Sequence, residues 1–269
     1  MKLEYVPLLK VQRELQGMPR SMERFREYLR TMTGREGGVV EGEADLQIPL
    51  GIINPMAREH VTELLDTLLS FDADGLAAAA VAEAESSLAL ADVQGEFRVS
   101  LVVADDLKGG WTNRHASESF LRFGGDGYDR LPRWLKQFWL TGVLWSSEEV
   151  SPRKAREAVL TTVHRAAYVC RNGPARTLRA RMAQEGAAMA ASGCTEPALD
   201  PDDLAYTRAV IEPFLDADDP RTTVECLFGD AAAAGLGFTP RGLSPCAGLA
   251  LALADARQGS SAPNLARDA

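Results

Sequence analysis

The sequence predicts an α+β protein, predominantly helical, with a small, mainly antiparallel sheet formed by residues around 97–145. Three observations predict it. Apolar residues recur at helical spacing up to about residue 90 and again after Ser151. Between them, "GEFRVSLVVAD" alternates Phe97, Val99, Leu101 and Val103 with Arg98 and Ser100, which is the period of a strand. Strands and helices do not alternate along the chain as βαβ units require.

The elements follow in order. Residues 6–15 predict a first helix and 21–32 a second, with Met22, Phe25, Leu29 and Met32 as its apolar stripe. The glycine-rich, acidic 34–47 reads as a loop. Asn54-Pro55 predicts a helix start: the Asn side chain can accept an orphan backbone N–H, and proline at the first helical position has none to lose. That helix runs to about Phe71 on Val61, Leu64, Leu65, Leu68 and Leu69, and the alanine-rich 75–90 continues as another, capped by Asp72 or Asp74. Strand 97–103 comes next, and the aromatic-rich 137–145 predicts a second, largely buried strand. Residues 111–123 fit either a third strand or a loop with a short helix, and 123–133 is rich enough in glycine to be a loop. Ser151-Pro152, Asp200-Pro201 and Asp219-Pro220 repeat the cap–proline signal, and Asn172-Gly173-Pro174 resembles it. Helices are predicted over 152–171, 174–191, 201–215, 223–234 (ended by Gly235) and 243–257. The expected organisation is one globular domain over 1–257, with helices in 1–92, the sheet in 93–150 and a helical part in 151–257, followed by a mobile tail at 258–269.

Composition narrows the class. Hydrophobic residues are 46% and charged residues 25%, as in water-soluble globular chains. No run approaches the roughly 20 apolar residues of a membrane helix, and the start lacks the pattern of a signal peptide, so a cytoplasmic protein is expected. Cys170, Cys194, Cys226 and Cys246 have no metal or disulfide spacing and are expected to be reduced. The net charge of −9 argues against nucleic acid as a partner. Charge is segregated, however. Residues 1–40 carry +3 (eight basic, five acidic) and 41–96 carry −11 (one against twelve). Residues 97–181 carry +7 (fifteen against eight), and 182–269 carry −8 (five against thirteen). The basic middle is expected to pair with its acidic flanks or to face an anionic ligand.

The chemistry concentrates in "ADDLKGGWTNRHASE", residues 104–118. Strand ends are common places for functional residues. His115 is the candidate general base, with Asp105, Asp106 or Glu118 to orient it. Trp111 offers a flat wall, Asn113 and Arg114 polar contacts, and Arg176 and Arg179, near a helix start, an anion site. The alternative is a β-turn at Lys108-Gly109-Gly110 whose polar groups satisfy the turn backbone. A divalent metal through His60 and Glu63, or His115 and Glu118, is a lesser alternative, because i and i+3 share a helix face. No nucleotide-binding glycine motif is present, and no cofactor is expected. Two function classes follow: a protein with a small-molecule binding or acid–base site at 104–118, an anionic ligand among the candidates, or a non-catalytic interaction protein that assembles through its helical C-terminal half. Oligomeric state is not legible.

Overall fold

A computed structural model of the chain describes residues 1–33, 46–90, 95–107, 112–124 and 139–261. The order is β1 (Lys2–Tyr5), α1 (Leu9–Gly17), α2 (Met22–Thr33), α3 (Gln47–Leu50), α4 (Glu59–Ser70), α5 (Ala73–Leu90), β2 (Glu96–Ala104), α6 (Arg114–Phe123) and β3 (Trp139–Trp145). Then come α7 (Pro152–Asn172), α8 (Leu178–Ala191), α9 (Pro201–Ile211), a 3₁₀ turn at Glu212–Phe214, α10 (Pro220–Phe228), α11 (Asp230–Gly235) and α12 (Ala247–Ser261). Most of the described chain is helical, as expected.

The sheet overturns the antiparallel expectation. Its three strands lie in the order β1-β2-β3 and all run parallel. Helices separate each pair of neighbours: α1 to α5 between β1 and β2, and α6 between β2 and β3. A connection of that kind carries the chain back to the starting edge, so the next strand runs the same way. Two signals concealed this. β1 is four residues long with only Leu3 buried, too short to show a period. Residues 111–123, ambiguous in sequence, hold helix α6.

A parallel sheet is covered on both faces, and this one is. Val99, Leu101 and Val103 join the core formed with α5 and α7, while Val102 and Trp139 pack with Leu15, Tyr28 and Leu50 of α1, α2 and α3. Ser100, which the alternation assigns to solvent, is 0% exposed. The C-terminal helices enclose a further core around Leu227, Phe228 and Leu251.

Three of the four cap–proline signals start helices. Ser151, Asp200 and Asp219 accept the backbone N–H of Lys154, Asp203 and Thr222 at 3.2, 2.8 and 2.7 Å. Asn54 does not: α4 begins at Glu59, and Asn54 Oδ1 makes a turn with the N–H of Met56 at 2.9 Å. Thr177, rather than Gly173, caps α8, which begins at Leu178 and not at Pro174. The helix expected over 223–234 is two helices broken at Gly229, whose φ is +82° and whose absent Cβ would lie 2.2 Å from the Ser244 carbonyl oxygen.

Helix α2 is rotated from its predicted orientation. Its buried residues are Arg24, Tyr28 and Thr31, while Met22 and Leu29 are 60% and 44% exposed. Arg24 donates to the carbonyls of Gln16, Met18 and Ala57, and the Tyr28 hydroxyl to that of Leu50 at 2.9 Å. The polar side chains thus give hydrogen-bond donors to carbonyls of neighbouring segments. Tyr28→Phe is therefore expected to cost about 1 kcal/mol in urea unfolding by removing one hydrogen bond from the Leu50 carbonyl, which keeps the Ile53 N–H at 3.1 Å, whereas Leu29→Lys should change stability by less than about 0.5 kcal/mol.

Candidate functional site

β2 ends at Ala104 and β3 at Trp145, partners in register, so Asp105-Asp106 and Ser146-Ser147 leave the same edge side by side. The carboxyl edge of a parallel sheet is where ligand crevices form. Asp105 is 3% exposed. Its Oδ1 accepts from Ser146 Oγ at 3.0 Å and from the N–H of Leu107 at 3.2 Å, and lies 2.9 Å from His60 Nε2; Oδ2 accepts from Asn54 Nδ2 at 3.0 Å. Burial pushes the Asp105 carboxyl up, but the hydrogen bonds from His60, Asn54 and Ser146 outweigh it and hold the group below the usual carboxylate range. An ionised Asp105 favours the imidazole tautomer with its N–H on Nε2. His60 Nδ1 is then buried and has no partner among the described residues.

Asp106 faces the other strand end. It accepts from Ser147 N at 2.9 Å, Ser147 Oγ at 2.6 Å and Ser146 Oγ at 3.2 Å, and lies 3.7 Å from Arg114 Nη1. Arg114 begins a line of alternating charge that runs into the protein. It donates to Glu118 at 2.8 Å and to Glu148, and its guanidinium sits over the Trp145 ring at 5.4 Å. Glu118 accepts from Arg122 at 3.0 Å; Arg122 also reaches Glu185, which Arg165 holds through two bonds of 2.7 and 2.9 Å. The Glu185 side chain is 0% exposed and Arg165 only 8%. Burial raises the Glu185 carboxyl, yet Arg165 and Arg122 overcome it and bring the group to about 2. Burial likewise opposes ionisation of Glu118, which Arg122 and Arg114 hold below its ordinary value.

Arg114, Glu118, Arg122 and Arg165 form one wall of a cavity of about 660 Å³ beside β3, between α6, α7 and α8. Leu121, Val143, Met189 and Leu249 supply apolar surface, and Lys154 lines it from the first turn of α7. Cys194 and Cys246 also face it, and burial raises both thiols, which keeps them in the less reactive protonated form.

The residues predicted from sequence therefore divide. Asp105 faces Asn54 and His60, Asp106 the serines of β3's end, and Arg114 the cavity. Asn113 caps α6, accepting from the N–H of Ala116 at 3.0 Å, and edges a separate cavity of about 430 Å³. The His115 ring packs on Phe228 with centroids 5.6 Å apart. Burial lowers the His115 pKa, and the imidazole ring has no hydrogen-bond partner among the described residues. Trp111 lies outside the described residues. Arg176 and Arg179 are exposed at the start of α8, where the backbone N–H groups of Leu178 and Arg179 already donate to the carbonyls of Ala217 and Leu215. Arg179 lies 3.5 Å from Asp216 and lines a third cavity, of about 1050 Å³, between α8, α9 and α12.

The basic middle does meet acidic flanks, on both sides: Arg156 pairs with Glu83, and Arg165 with Glu185. Among the described residues no three His, Cys, Asp or Glu side chains converge in a metal-binding group, and no helix is long and apolar enough to cross a membrane. Trp139 and Trp145 are core residues. Sequence reasoning missed Asn54, Ser146, Ser147 and Lys154, and took His60 only with Glu63. The signal that finds the first three is the parallel sheet, which places the ends of β2 and β3 together. Set beside protein-family models, curated proteins and solved structures, the chain matches none of them.

Proposed function

We propose that the protein binds a small organic molecule in the cavity beside β3. The observation that carries this is the cavity itself: about 660 Å³, with Arg114 and Glu118 of the 104–118 stretch set among apolar side chains. Its size lies within the roughly 300–1,000 Å³ of small-molecule sites, and so does its mixture of apolar lining with a few fixed polar groups. The bonds of Arg114 and Glu118 to their neighbours hold that wall in place before a ligand arrives, which reduces the ordering cost of binding. Acid–base chemistry extends the reading. Asp106, close to the Arg114 guanidinium, and His115, the next residue along α6, are the groups proposed for it, and Asp105 with His60 forms a carboxylate–imidazole pair at the same edge.

A metabolite panel in thermal-shift format tests the binding reading, because a ligand at about 100 times its dissociation constant adds roughly 2.7 kcal/mol. At least one small organic molecule is expected to raise the melting temperature. Thr162, on the cavity wall, gives the control. Thr162→Trp should fill the space and abolish the shift while the ligand-free protein stays folded. A shift that survives Thr162→Trp would place the ligand elsewhere and overturn the reading.

A further inference from the structure

The charges around the cavity can be followed one by one. Three guanidinium groups line it, those of Arg114, Arg122 and Arg165. Each is bonded to protein carboxylates: Arg114 to Glu118 and Glu148, Arg122 to Glu118 and Glu185, Arg165 to Glu185. Arg114 also lies 3.7 Å from Asp106, so these three cations meet four anions, and the arginines are committed to the wall. Glu157 and Glu196 also line the cavity, and both face Arg153, at 3.1 and 3.9 Å. Lys154 is different. It lines the same cavity, is half-buried, and its ammonium has no ion pair or hydrogen bond with any described residue. A cation held against low-dielectric walls without a counter-charge attracts an anion more strongly than one in open water.

We infer that the ligand of this cavity is an organic monoanion of the carboxylate type, whose charge pairs with the Lys154 ammonium while its apolar body lies against Leu121, Val143 and Leu249. The inference rests on the binding reading above. One unpaired cation among the described residues of the lining calls for one negative charge, which separates a carboxylate from a phosphate monoester carrying nearly two. The apolar walls call for a hydrocarbon body rather than a sugar.

Three probes of one shape test it: 4-phenylbutanoate, 4-phenylbutanamide and 4-phenylbutylammonium, titrated against the full chain at low salt by ligand-observed NMR. The carboxylate is expected to bind at least about tenfold tighter than the amide, the size of effect a charge-assisted hydrogen bond gives, with the ammonium weakest. Lys154→Gln should bring the carboxylate down to the level of the amide, and Lys154→Arg should restore part of the preference. Equal affinity for the three probes, or a carboxylate preference that survives Lys154→Gln, overturns the inference and leaves the cavity as a binding site. Failure of all three probes to bind overturns the inference, while the binding reading stands or falls with the metabolite panel and Thr162→Trp.

Discussion

Glu185→Gln is expected to lower the unfolding free energy by about 3–5 kcal/mol, seen as a fall in the urea midpoint without a change in slope. The substitution keeps the shape of the side chain and removes its charge. Glu185 is fully buried on α8, and its carboxylate is shared by Arg165 and Arg122. Neither arginine can reach bulk water without dismantling the packing around it: their side chains are 8% and 17% exposed. The neutral amide leaves Arg165 without the carboxylate it pairs with and Arg122 with Glu118 alone, and its NH₂ must point at a donor. Part of the loss should be recovered when Arg165 is also neutralised, because the uncompensated charge is what destabilises. The pH dependence has the same origin. A carboxyl whose folded pKa lies below its unfolded value of about 4.3 contributes stability that is complete above that pH and is lost as pH falls through the folded value. For Glu185 that value is about 2, so stability should decline between about pH 4.5 and pH 2, and the decline should be shallower in Glu185→Gln. Glu118 and Asp105, also held low, contribute with the same sign. A Glu185→Gln protein within about 0.5 kcal/mol of wild type would show that the charge line is solvated and not part of the core.

The parts of this fold that sequence made legible are those set by local chemistry. Ser151, Asp200 and Asp219 start helices because a short acceptor side chain followed by proline solves the end-of-helix problem wherever it occurs. The parts it did not make legible depend on distant partners. Asn54-Pro55 has the same local chemistry, but the Asn54 amide is taken by Asp105, fifty-one residues away. The apolar stripe of α2 predicts one buried face, yet three carbonyls from other segments recruit Arg24 to the inside. Period-two alternation in β2 predicts one wet face, and helices from two sides remove it. The stretch 104–118 is crowded with functional groups, but nothing local tells which way each side chain turns. His115 turns to Phe228, while the imidazole that meets Asp105 comes from α4.

That last pairing makes Asp105 the second position with a large expected effect. Asp105→Ala should cost about 3–5 kcal/mol, and Asp105→Asn about 2–3 kcal/mol, in the same urea measurement. Among the described residues four donors converge on this carboxylate: the Asn54 amide, the Ser146 hydroxyl, the backbone N–H of Leu107 and the His60 ring. Alanine strands the Asn54 amide, the Leu107 N–H and the His60 ring in a site whose side chain is 1% exposed, while the Ser146 hydroxyl keeps Asp106 as an acceptor. Asparagine keeps the shape but turns an NH₂ toward one of the donors, so part of the cost remains. These contacts tie α4, the turn at Asn54 and the ends of β2 and β3 into one unit, and that unit positions Asp106 and the start of α6 where Arg114 meets the cavity. Yet none of the three cavities is lined by Asp105. The two consequences separate in one experiment. At a temperature where both proteins are folded, Asp105→Asn should bind the cavity ligand within about threefold of wild type, a change of less than about 0.7 kcal/mol, while unfolding at much lower urea. A large loss of affinity in folded Asp105→Asn would instead put its carboxylate in contact with the ligand, and the carboxyl edge of the sheet, not the cavity beside β3, would be the place where the molecule is held.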